Sequence, residues 1–501
     1  MVKIQQIDNF SNIFKLIFFS TLTFKIFLSY FFPLTGDEAY FISTSKIFNF
    51  GYYEHPPIIW WLIYLFSFFG KYTFHFFYYR LFSVFVTTFM SILILKLIGK
   101  SDIKKGYLIS SLFLISPLSL FNFLITNDIP LLFFTFLSAL FFYKGIKYDK
   151  KIYFMISGVF FGLSFLSKYF AVLYFISIFF YIVFKKDKRL WKNFVFFFIF
   201  SIPFIFINIY WNYTHCWINF LYNLLYRRKK DYFNIKNIII YFLSLAFLLT
   251  PYSFYFLIKT KFFFKKLKYN YDFFFFIFFI PLIFLLILSF FRKVGLHWYI
   301  SFLPFSFLIL KEAKIEEILN SIKYGIYFSG ILIFLIISLL LSPVEKFKNY
   351  KKYPHIIMFL RPYPLCEYLE NYKNEYIFAT GGYTESAVMS YYCKNNFIVF
   401  GSLSHSGREY DISFDFKSID GKDILIFSLE DIDIEKYKDF FEDIKKEKFI
   451  VEGAVFYLLF CKNFNYQIYR EKILKKIYEK FYKIPKYLPT KGNFFKEKYG
   501  F

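Results

Sequence analysis

Long apolar runs recur through the first two thirds of this 501-residue chain and restrict the folds open to it. A helix needs roughly 20 apolar residues to cross a hydrocarbon core about 30 Å thick. Hydrophobic residues make up 58% of the sequence, above the fraction that is typical of soluble domains. We therefore predict a polytopic α-helical membrane protein with about eleven transmembrane helices, near residues 13–33, 78–98, 107–121, 131–144, 152–167, 170–184, 193–210, 237–258, 272–291, 297–310 and 323–342.

Lysine and arginine are distributed unequally between alternate connections of these helices. With the N-terminus placed inside, the inside connections carry 20 Lys and Arg and the outside connections carry 10. Cytoplasmic loops are enriched in these residues, so the pattern predicts an inside N-terminus and an outside C-terminal segment. The same enrichment accounts for the net charge of +26, and we expect no nucleic-acid partner. The inside connections are 99–106, 144–151, 185–192, 259–270 and 311–323.

Residues 343–501 differ in pattern from residues 1–342, and we predict a domain boundary between them. The segment "NEYIFATGGYTESAVMSYYCKNNFIVFGS" predicts a strand, a Gly-Gly turn, a helix and a second strand. "GKDILIFSLED" and "KFIVEGAVFYLLFCKN" predict further strands. The expected C-terminal domain is therefore an extracytoplasmic α/β domain. Cys366 and Cys393 would pair as a disulfide in that compartment, and unpaired, partly buried thiols are the alternative.

The predicted outside connections all place polar or charged groups at the membrane boundary, whereas the inside connections are Lys-rich. Carboxylates at such a boundary can serve as general bases or as ligands of a divalent cation. Arg and Lys beside them can hold a phosphate group. The combination predicts transfer of the head group of an anionic, lipid-linked donor to an acceptor hydroxyl. The candidate residues are Asp37, Glu38, Glu54, His55, Asp128, Lys168, Arg227, Arg228 and His297.

Five motifs on this predicted face carry a family resemblance. They are "DEAY" followed by "GYYEHPPIIWWLI", then "TNDIPLLFF", "GLSFLSKYFAVL", "WNYTHCWINF" and "LHWYISFLP", in that order. The chain resembles bacterial glycosyltransferase family 39, related to protein O-mannosyltransferases and to the lipid A aminoarabinose and galacturonic-acid transferases. These are GT-C-type membrane enzymes that use polyprenyl-phosphate sugars. The likeness covers roughly residues 10–310 and extends weakly into the C-terminal segment.

The resemblance implies catalytic roles for acidic residues of the first two outside loops. Asp37 matches the first-loop acidic residue, the favoured general base, and Asp128 matches the second-loop Asp that would assist it. Glu38, beside Asp37, is the third catalytic candidate. Each has a structural alternative: Asp37 or Asp128 as a helix N-cap, and Glu38 in a local ion pair.

The resemblance also implies a binding site for the donor phosphate. His55 stands where related lipid A transferases often carry a Lys, and Lys168 matches the Lys of the family's "SKY" turn. Arg227 and Arg228 fall near positions that approach the phosphate. As alternatives, Lys168 would extend to the membrane interface, and the two Arg side chains would bind anionic lipid head groups in general.

A divalent cation is a candidate cofactor. Glu54 falls where related transferases have a metal-binding Glu, and His297 is a weaker candidate ligand that competes with His215 and Asn223. The alternative is that Glu54 and His55 only precede the pair Pro56 and Pro57, which fixes an extended entry into the next helix.

The predicted activity is a single inverting displacement on a polyprenyl-phosphate sugar in the bacterial inner membrane, with an extracytoplasmic acceptor. Lipid A, lipopolysaccharide or another envelope glycan is the first acceptor class, and protein Ser/Thr is the alternative. A flippase for lipid-linked sugars fits less well, because transporters place their polar residues near the membrane midplane. A non-catalytic scaffold would not require both Asp37 and Asp128.

Overall fold

The computed structural model describes residues 2–70, 75–226, 232–259 and 273–501, and the chain divides into two compact units. The helical unit comprises Met1–Phe32, Phe66–Phe206 and Lys229–Leu340. The mixed unit comprises Pro33–Leu65, Ile207–Arg228 and Leu341–Phe501. Residues 34–65 of the first predicted outside loop, 34–77, therefore belong to the same unit as the C-terminal segment, whereas the sequence pattern predicts a single division, after residue 342.

Helices occupy every one of the predicted apolar runs. Those of eight residues or more in the described part are Val2–Phe31, Gly36–Thr44, Ile58–Gly70, Phe77–Gly99, Ile103–Ile115, Asp128–Tyr148, Lys151–Phe165, Ala171–Lys185, Lys188–Thr214, Ile235–Leu249, Pro251–Lys259, Phe273–Ser289, Ile315–Leu340, Tyr353–Leu360, Pro362–Glu370 and Tyr383–Tyr392. Shorter α-helices are Pro117–Leu120, Ile218–Leu221, Pro304–Leu310, Glu409–Ser413, Tyr466–Tyr469, Lys475–Ile477 and Phe494–Tyr499. π-Helical turns lie at Tyr222–Tyr226, Arg470–Leu474 and Tyr478–Tyr482, and 3₁₀ turns at Leu296–Trp298, Val344–Phe347, Phe416–Ile419, Ile434–Lys436 and Lys438–Phe440.

Not every apolar run forms a helix that is long enough to cross a membrane. Among the described residues, five helices pass by length and composition: Asp8–Phe31, Phe77–Gly99, Asp128–Tyr148, Lys188–Thr214 and Ile315–Leu340. The number rises to six if one bent pair is a single span. The predicted number of about eleven spans is therefore not confirmed, although the polytopic helical class is.

The bent pair replaces the single span predicted at 237–258. Ile235–Leu249 and Pro251–Lys259 meet at an angle of 110°. Thr250 between them has a φ of 76°, outside the helical region. A proline ring disfavours helical backbone at the residue before it and cannot donate a backbone hydrogen bond, so Pro251 ends the first helix and begins the second.

Small and hydroxyl-bearing residues bring the helices of the helical unit close together. The hydroxyls of Ser138 and Ser157 each donate to the other residue's carbonyl oxygen at 2.8 Å. The hydroxyls of Thr135 and Ser164 lie 2.7 Å apart in the same pair of helices. Small residues allow such backbone approach within a membrane, where helix packing rather than water exclusion drives association.

Gly158 marks a close approach between the helices Lys151–Phe165 and Lys188–Thr214, and we expect Gly158→Ala to destabilise the helical unit by about 2–3 kcal/mol. An added Cβ would overlap the backbone carbonyl oxygen of Phe197, which cannot turn away as a side chain could. Gly330→Ala is the matched control, because a Cβ there meets nothing within 4 Å. Thermal unfolding of the purified variants in detergent measures the difference. Equal midpoints for the two variants would contradict the expectation.

The mixed unit contains a five-stranded sheet in the order β2-β1-β3-β5-β4. The parallel strands are β1 (Ile377–Thr380), β2 (Phe397–Val399) and β3 (Ile424–Ser428), with β1 between the other two. The helix Tyr383–Tyr392 connects β1 to β2, as the sequence predicts. The antiparallel strands β4 (Asp443–Val451) and β5 (Ala454–Lys462) form a hairpin that pairs with β3 through β5.

A disulfide ties two helices of the mixed unit together. Cys366 and Cys393 form this bond, whereas Cys216 and Cys461 are buried free thiols. The disulfide connects Pro362–Glu370 to the residue that follows Tyr383–Tyr392. It therefore fixes the end of a helix whose first residue, Tyr383, contacts the first loop.

Candidate active site

The helix Gly36–Thr44 of the first loop begins with a capping box. The Glu38 backbone N–H donates to the hydroxyl of Thr35, and the Thr35 backbone N–H donates to the Glu38 carboxylate at 3.0 Å. The N-cap is therefore Thr35, which corrects the alternative that Asp37 caps this helix. The buried carboxylate of Glu38 serves the cap, so it is poorly placed to act as a base.

Asp37 is left with an exposed side chain in the first turn of the same helix. Its Oδ1 accepts a hydrogen bond of 3.2 Å from the hydroxyl of Tyr383. Tyr383 is the first residue of the helix after β1, and its ring packs against that of Tyr40 at 5.1 Å. A Cβ on Gly36 would overlap the side chain of Thr384, so glycine permits the close approach of the two helices. The C-terminal segment thus holds the carboxylate that the resemblance favours as the base.

Glu54 lies in a buried hydrogen-bond network. Its Oε2 accepts from the hydroxyl of Tyr40 at 2.7 Å, and its Oε1 accepts from the backbone N–H groups of Gly407 at 2.7 Å and Arg408 at 3.2 Å. Burial raises the pKa of Glu54 to about 7. The hydrogen bonds favour the ionised form and lower this pKa, but burial has the larger effect. Gly407 has a φ of 79°, and an added Cβ there would overlap the side chain of Tyr383, so any other residue would be strained at this position.

Glu409 extends the Glu54 network to a second carboxyl group. Its carboxylate accepts the backbone N–H of Tyr53 at 2.8 Å, and its own N–H donates to the hydroxyl of Tyr40 at 3.3 Å. Burial raises the pKa of Glu409 well above its ordinary range, and the nearby Glu54 adds to this. Tyr40 is therefore shared by both acidic residues.

A buried ion pair stabilises the turn that contains Gly407 and Arg408. Arg408 Nη1 lies 3.2 Å from Asp411 Oδ2, and the hydroxyl of Tyr482 donates to the same oxygen at 2.9 Å. The Arg408 Nη2 group donates to the carbonyl oxygen of Ser402 at 2.9 Å. The pair holds the backbone whose N–H groups reach Glu54.

Stability should fall with rising pH because of Glu54. Between pH 4.5 and 7 the folded carboxyl retains a proton that the unfolded one has lost, so folding binds a proton and is favoured at the lower pH. From pH 4.5 to 7, we expect the free energy of unfolding of wild type to fall by about 3 kcal/mol relative to that of Glu54→Gln. Unfolding of both proteins at several pH values measures it, and a difference that stays constant with pH would contradict the assigned cause.

Side chains of residues 207–226 hold the loop around Glu54. Asn223 donates to the Glu54 carbonyl oxygen at 2.8 Å, and Asn219 donates to the Tyr52 carbonyl oxygen at 2.7 Å. His215 stacks on Trp211 with ring centroids 4.3 Å apart, and burial lowers the pKa of this His. His55, the residue after Glu54, is half-buried.

These residues do not fit a metal centre as they stand. Both carboxylate oxygens of Glu54 accept hydrogen bonds, and Asn223 and His215 make other contacts. His297 lies in the helical unit, in the turn Leu296–Trp298. In the described ranges no three His, Cys, Asp or Glu side chains converge as metal ligands would. The cation stays a prediction, and no step of the proposed reaction depends on it.

The helical unit brings two other predicted site residues together. Lys168 Nζ lies 2.7 Å from Asp128 Oδ1, and both side chains are buried. Asp128 is the first residue of the helix Asp128–Tyr148, and Lys168 comes from the turn between Lys151–Phe165 and Ala171–Lys185. Lys168 therefore pairs with a carboxylate instead of extending alone to the interface. Arg227 and Arg228 lie outside the described residues.

Comparison with known proteins shows which sequence family and which fold this chain is similar to. A family model described as dolichyl-phosphate-mannose-protein mannosyltransferase matches residues 54–211. The crystal structure of ArnT from Cupriavidus metallidurans in the apo state matches with a TM-score of 0.62 at 11% identity, over 89% of this chain and 97% of ArnT. The chain has an ArnT-like fold. No curated protein matches it in sequence.

A second crystal structure, ArnT from the same organism bound to undecaprenyl phosphate, matches the chain equally well. The TM-score is 0.61 at 12% identity, with the same coverage of both chains. The predicted resemblance to the GT-C transferases is confirmed by the family model and by these structures. The family match begins at Glu54, so the helix that carries Asp37 lies outside the residues it matches.

The sequence did not single out Tyr383, Gly407, Arg408 or Glu409. Tyr383 lies in the "GGYTES" segment, which carried the weak C-terminal end of the resemblance. Nothing in "SHSGREYD" resembles a motif, because the turn contributes backbone N–H groups and buried side chains to partners some 350 residues away.

Proposed function

We propose that this protein is an integral-membrane glycosyltransferase that moves a sugar from a polyprenyl-phosphate donor to an extracytoplasmic acceptor. The observation that carries the proposal is the ArnT-like fold, which spans 97% of ArnT and leaves an exposed carboxylate, Asp37, in the first loop. The family model, described as a dolichyl-phosphate-mannose-protein mannosyltransferase, supports the same donor class. The undecaprenyl phosphate bound to ArnT supports it as well.

The reaction is a single displacement with inversion at the anomeric carbon. Asp37 takes the proton from the acceptor hydroxyl as the oxygen attacks, and the bond from the anomeric carbon to the phosphate oxygen breaks. The electron pair leaves with the polyprenyl phosphate. Tyr383 orients the base through its hydrogen bond to Oδ1. General-base assistance of this kind contributes about 10²–10⁴-fold.

Cationic side chains are proposed to stabilise the departing phosphate. Lys168, Arg227, Arg228 and His55 are the candidates, as the motif resemblance implies. Electrostatic stabilisation often contributes more to catalysis than any other effect, and the leaving group here carries negative charge throughout. Lys168 is held by Asp128 in this structure, so its engagement with a phosphate would require it to exchange partners.

Lipid A, lipopolysaccharide or another envelope glycan is the proposed acceptor class, and protein Ser/Thr is the second. The first is favoured by the match to ArnT over most of both chains, and the second by the family-model description. We place the site and the C-terminal segment on the extracytoplasmic face of a bacterial inner membrane. The Cys366–Cys393 disulfide supports this, because such bonds persist in oxidising compartments.

The test is a transfer assay on the purified protein in detergent, with a panel of radiolabelled polyprenyl-phosphate sugars. Each donor is offered with lipid A and, separately, with a Ser/Thr-rich peptide. Transfer from one donor to one acceptor would establish the activity and name both substrates. Saturable donor binding without sugar release or transfer under any condition would overturn the proposal and favour a flippase or a scaffold.

A further inference from the structure

A basic cavity lies in the helical unit, formed where the ends of several helices converge. Its volume is about 590 Å³, within the range of small-molecule binding sites. Its walls come from the end of Phe77–Gly99, the start of Ile103–Ile115, the end of Asp128–Tyr148 and the end of Pro304–Leu310. Three of the predicted inside connections thus meet at one place.

Lysine dominates the charged lining of this cavity. Lys105, Lys144 and Lys311 are half-buried, while the other three lysines are exposed. The acidic residues in the lining are Asp102 and Glu312. The six lysines are Lys96, Lys100, Lys105, Lys144, Lys147 and Lys311.

Six lysines and two acidic residues line the cavity, so its lining carries a net positive charge. The Asp102 side chain caps the helix Ile103–Ile115 by accepting the backbone N–H of Lys105 at 3.1 Å. Glu312 lies 3.9 Å from Lys311, at the limit of an ion pair. Lysines at helix C-termini are ordinary on a solvated face, but a concave cleft lined by six of them concentrates positive potential.

Apolar side chains line the remainder of the cavity. Leu97, Leu140, Phe274 and Leu308 are among them. A small inorganic anion would contact only the lysines, whereas a ligand with an apolar part would use both surfaces. Basic pockets between membrane helices on the cytoplasmic side bind the head groups of anionic lipids.

We propose that this cavity binds a phosphate group, supplied by the head group of an anionic phospholipid from the leaflet that faces the predicted inside connections. The lysines would hold the phosphate, and the leucines and Phe274 would contact the glycerol and the first acyl carbons. This site is separate from the proposed transfer chemistry, whose candidate residues lie on the predicted outside connections.

The test uses the purified full-length protein and short-chain lipids, with no sugar donor. Dihexanoyl phosphatidylglycerol, dihexanoyl phosphatidylcholine and inorganic phosphate are titrated separately by calorimetry. We expect phosphatidylglycerol to bind at least tenfold more tightly than phosphatidylcholine. We expect Lys105→Gln with Lys144→Gln to weaken that binding at least tenfold.

Two further variants separate charge at the cavity from charge and folding in general. Lys188→Gln with Lys192→Gln removes two exposed lysines of another inside segment and should change the affinity less than twofold. Lys105→Arg with Lys144→Arg keeps the charge and should retain binding. If inorganic phosphate binds as tightly as phosphatidylglycerol, the cavity is a phosphate site whose ligand comes from solution and not from a lipid. Equal affinity for the two lipids, or equal losses in both Gln pairs, would overturn the proposal.

Discussion

Asp37→Asn should reduce the rate of sugar transfer at least about 10³-fold while leaving the protein folded. The amide is nearly the same shape as the carboxylate, and its oxygen can still accept the hydrogen bond from Tyr383. It cannot accept a proton from an attacking hydroxyl at neutral pH. The measurement is single-turnover transfer with the donor and acceptor that the panel identifies, together with the donor dissociation constant, which should change little.

Tyr383→Phe is the natural companion to this variant. Removing the hydroxyl leaves the Asp37 side chain in place but less well oriented, and we expect a loss of about tenfold in turnover with little change in donor affinity. Full activity of Asp37→Asn would exclude it as the base and move that role to Asp128. A loss in Tyr383→Phe as large as that in Asp37→Asn would mean that the tyrosine does more than orient the carboxylate.

Asp411→Ala should destabilise the mixed unit by about 3–5 kcal/mol, because it leaves the buried Arg408 without its partner. The hydroxyl of Tyr482 loses its acceptor in the same variant. The expected results are a lower unfolding midpoint and faster proteolysis of the turn around Gly407. Both are measurable on the full-length protein with its disulfide intact.

Asp439→Ala is the matched control for this prediction. Asp439 pairs with Lys472 at 2.6 Å in the same unit, but both side chains are about half exposed. Breaking an exposed ion pair costs little stability, because water and salt already screen the two charges. We therefore expect an unfolding midpoint close to that of wild type. If both variants lower the midpoint equally, burial of the Arg408–Asp411 pair is not the cause.

The helical architecture was predictable because it depends on local sequence. Runs of apolar residues must form helices in a membrane, where every backbone polar group needs an internal partner. Their breaks were less predictable. The run at 107–121 divides at Ser116, whose extended backbone precedes Pro117. The run at 237–258 also divides before a proline, Pro251. Pro203 and Pro281 lie inside continuous helices, so a proline in an apolar run does not by itself mark a break.

The site was predictable only where its residues lie near each other in sequence. The spacing of Thr35 and Glu38 is that of a capping box, and it indicates the cap that the structure shows. The contacts of Asp37 with Tyr383 and of Glu54 with Gly407 join residues about 350 positions apart. No local pattern encodes such pairs. Lys168 and Asp128 likewise meet only because the helix Asp128–Tyr148 packs against the helix that precedes Lys168.

The Glu54 network also has a consequence for the order in which the protein is made. Tyr53 and Glu409 are separated by 356 positions, and ribosomes add about 5–20 residues per second. The first loop therefore exists for roughly 20–70 s before the residues that complete it emerge. Through that interval the carboxyl of Glu54 lacks both backbone N–H partners, and we expect the first loop to remain incompletely folded. A stop codon anywhere before Gly407 would leave it in that state permanently.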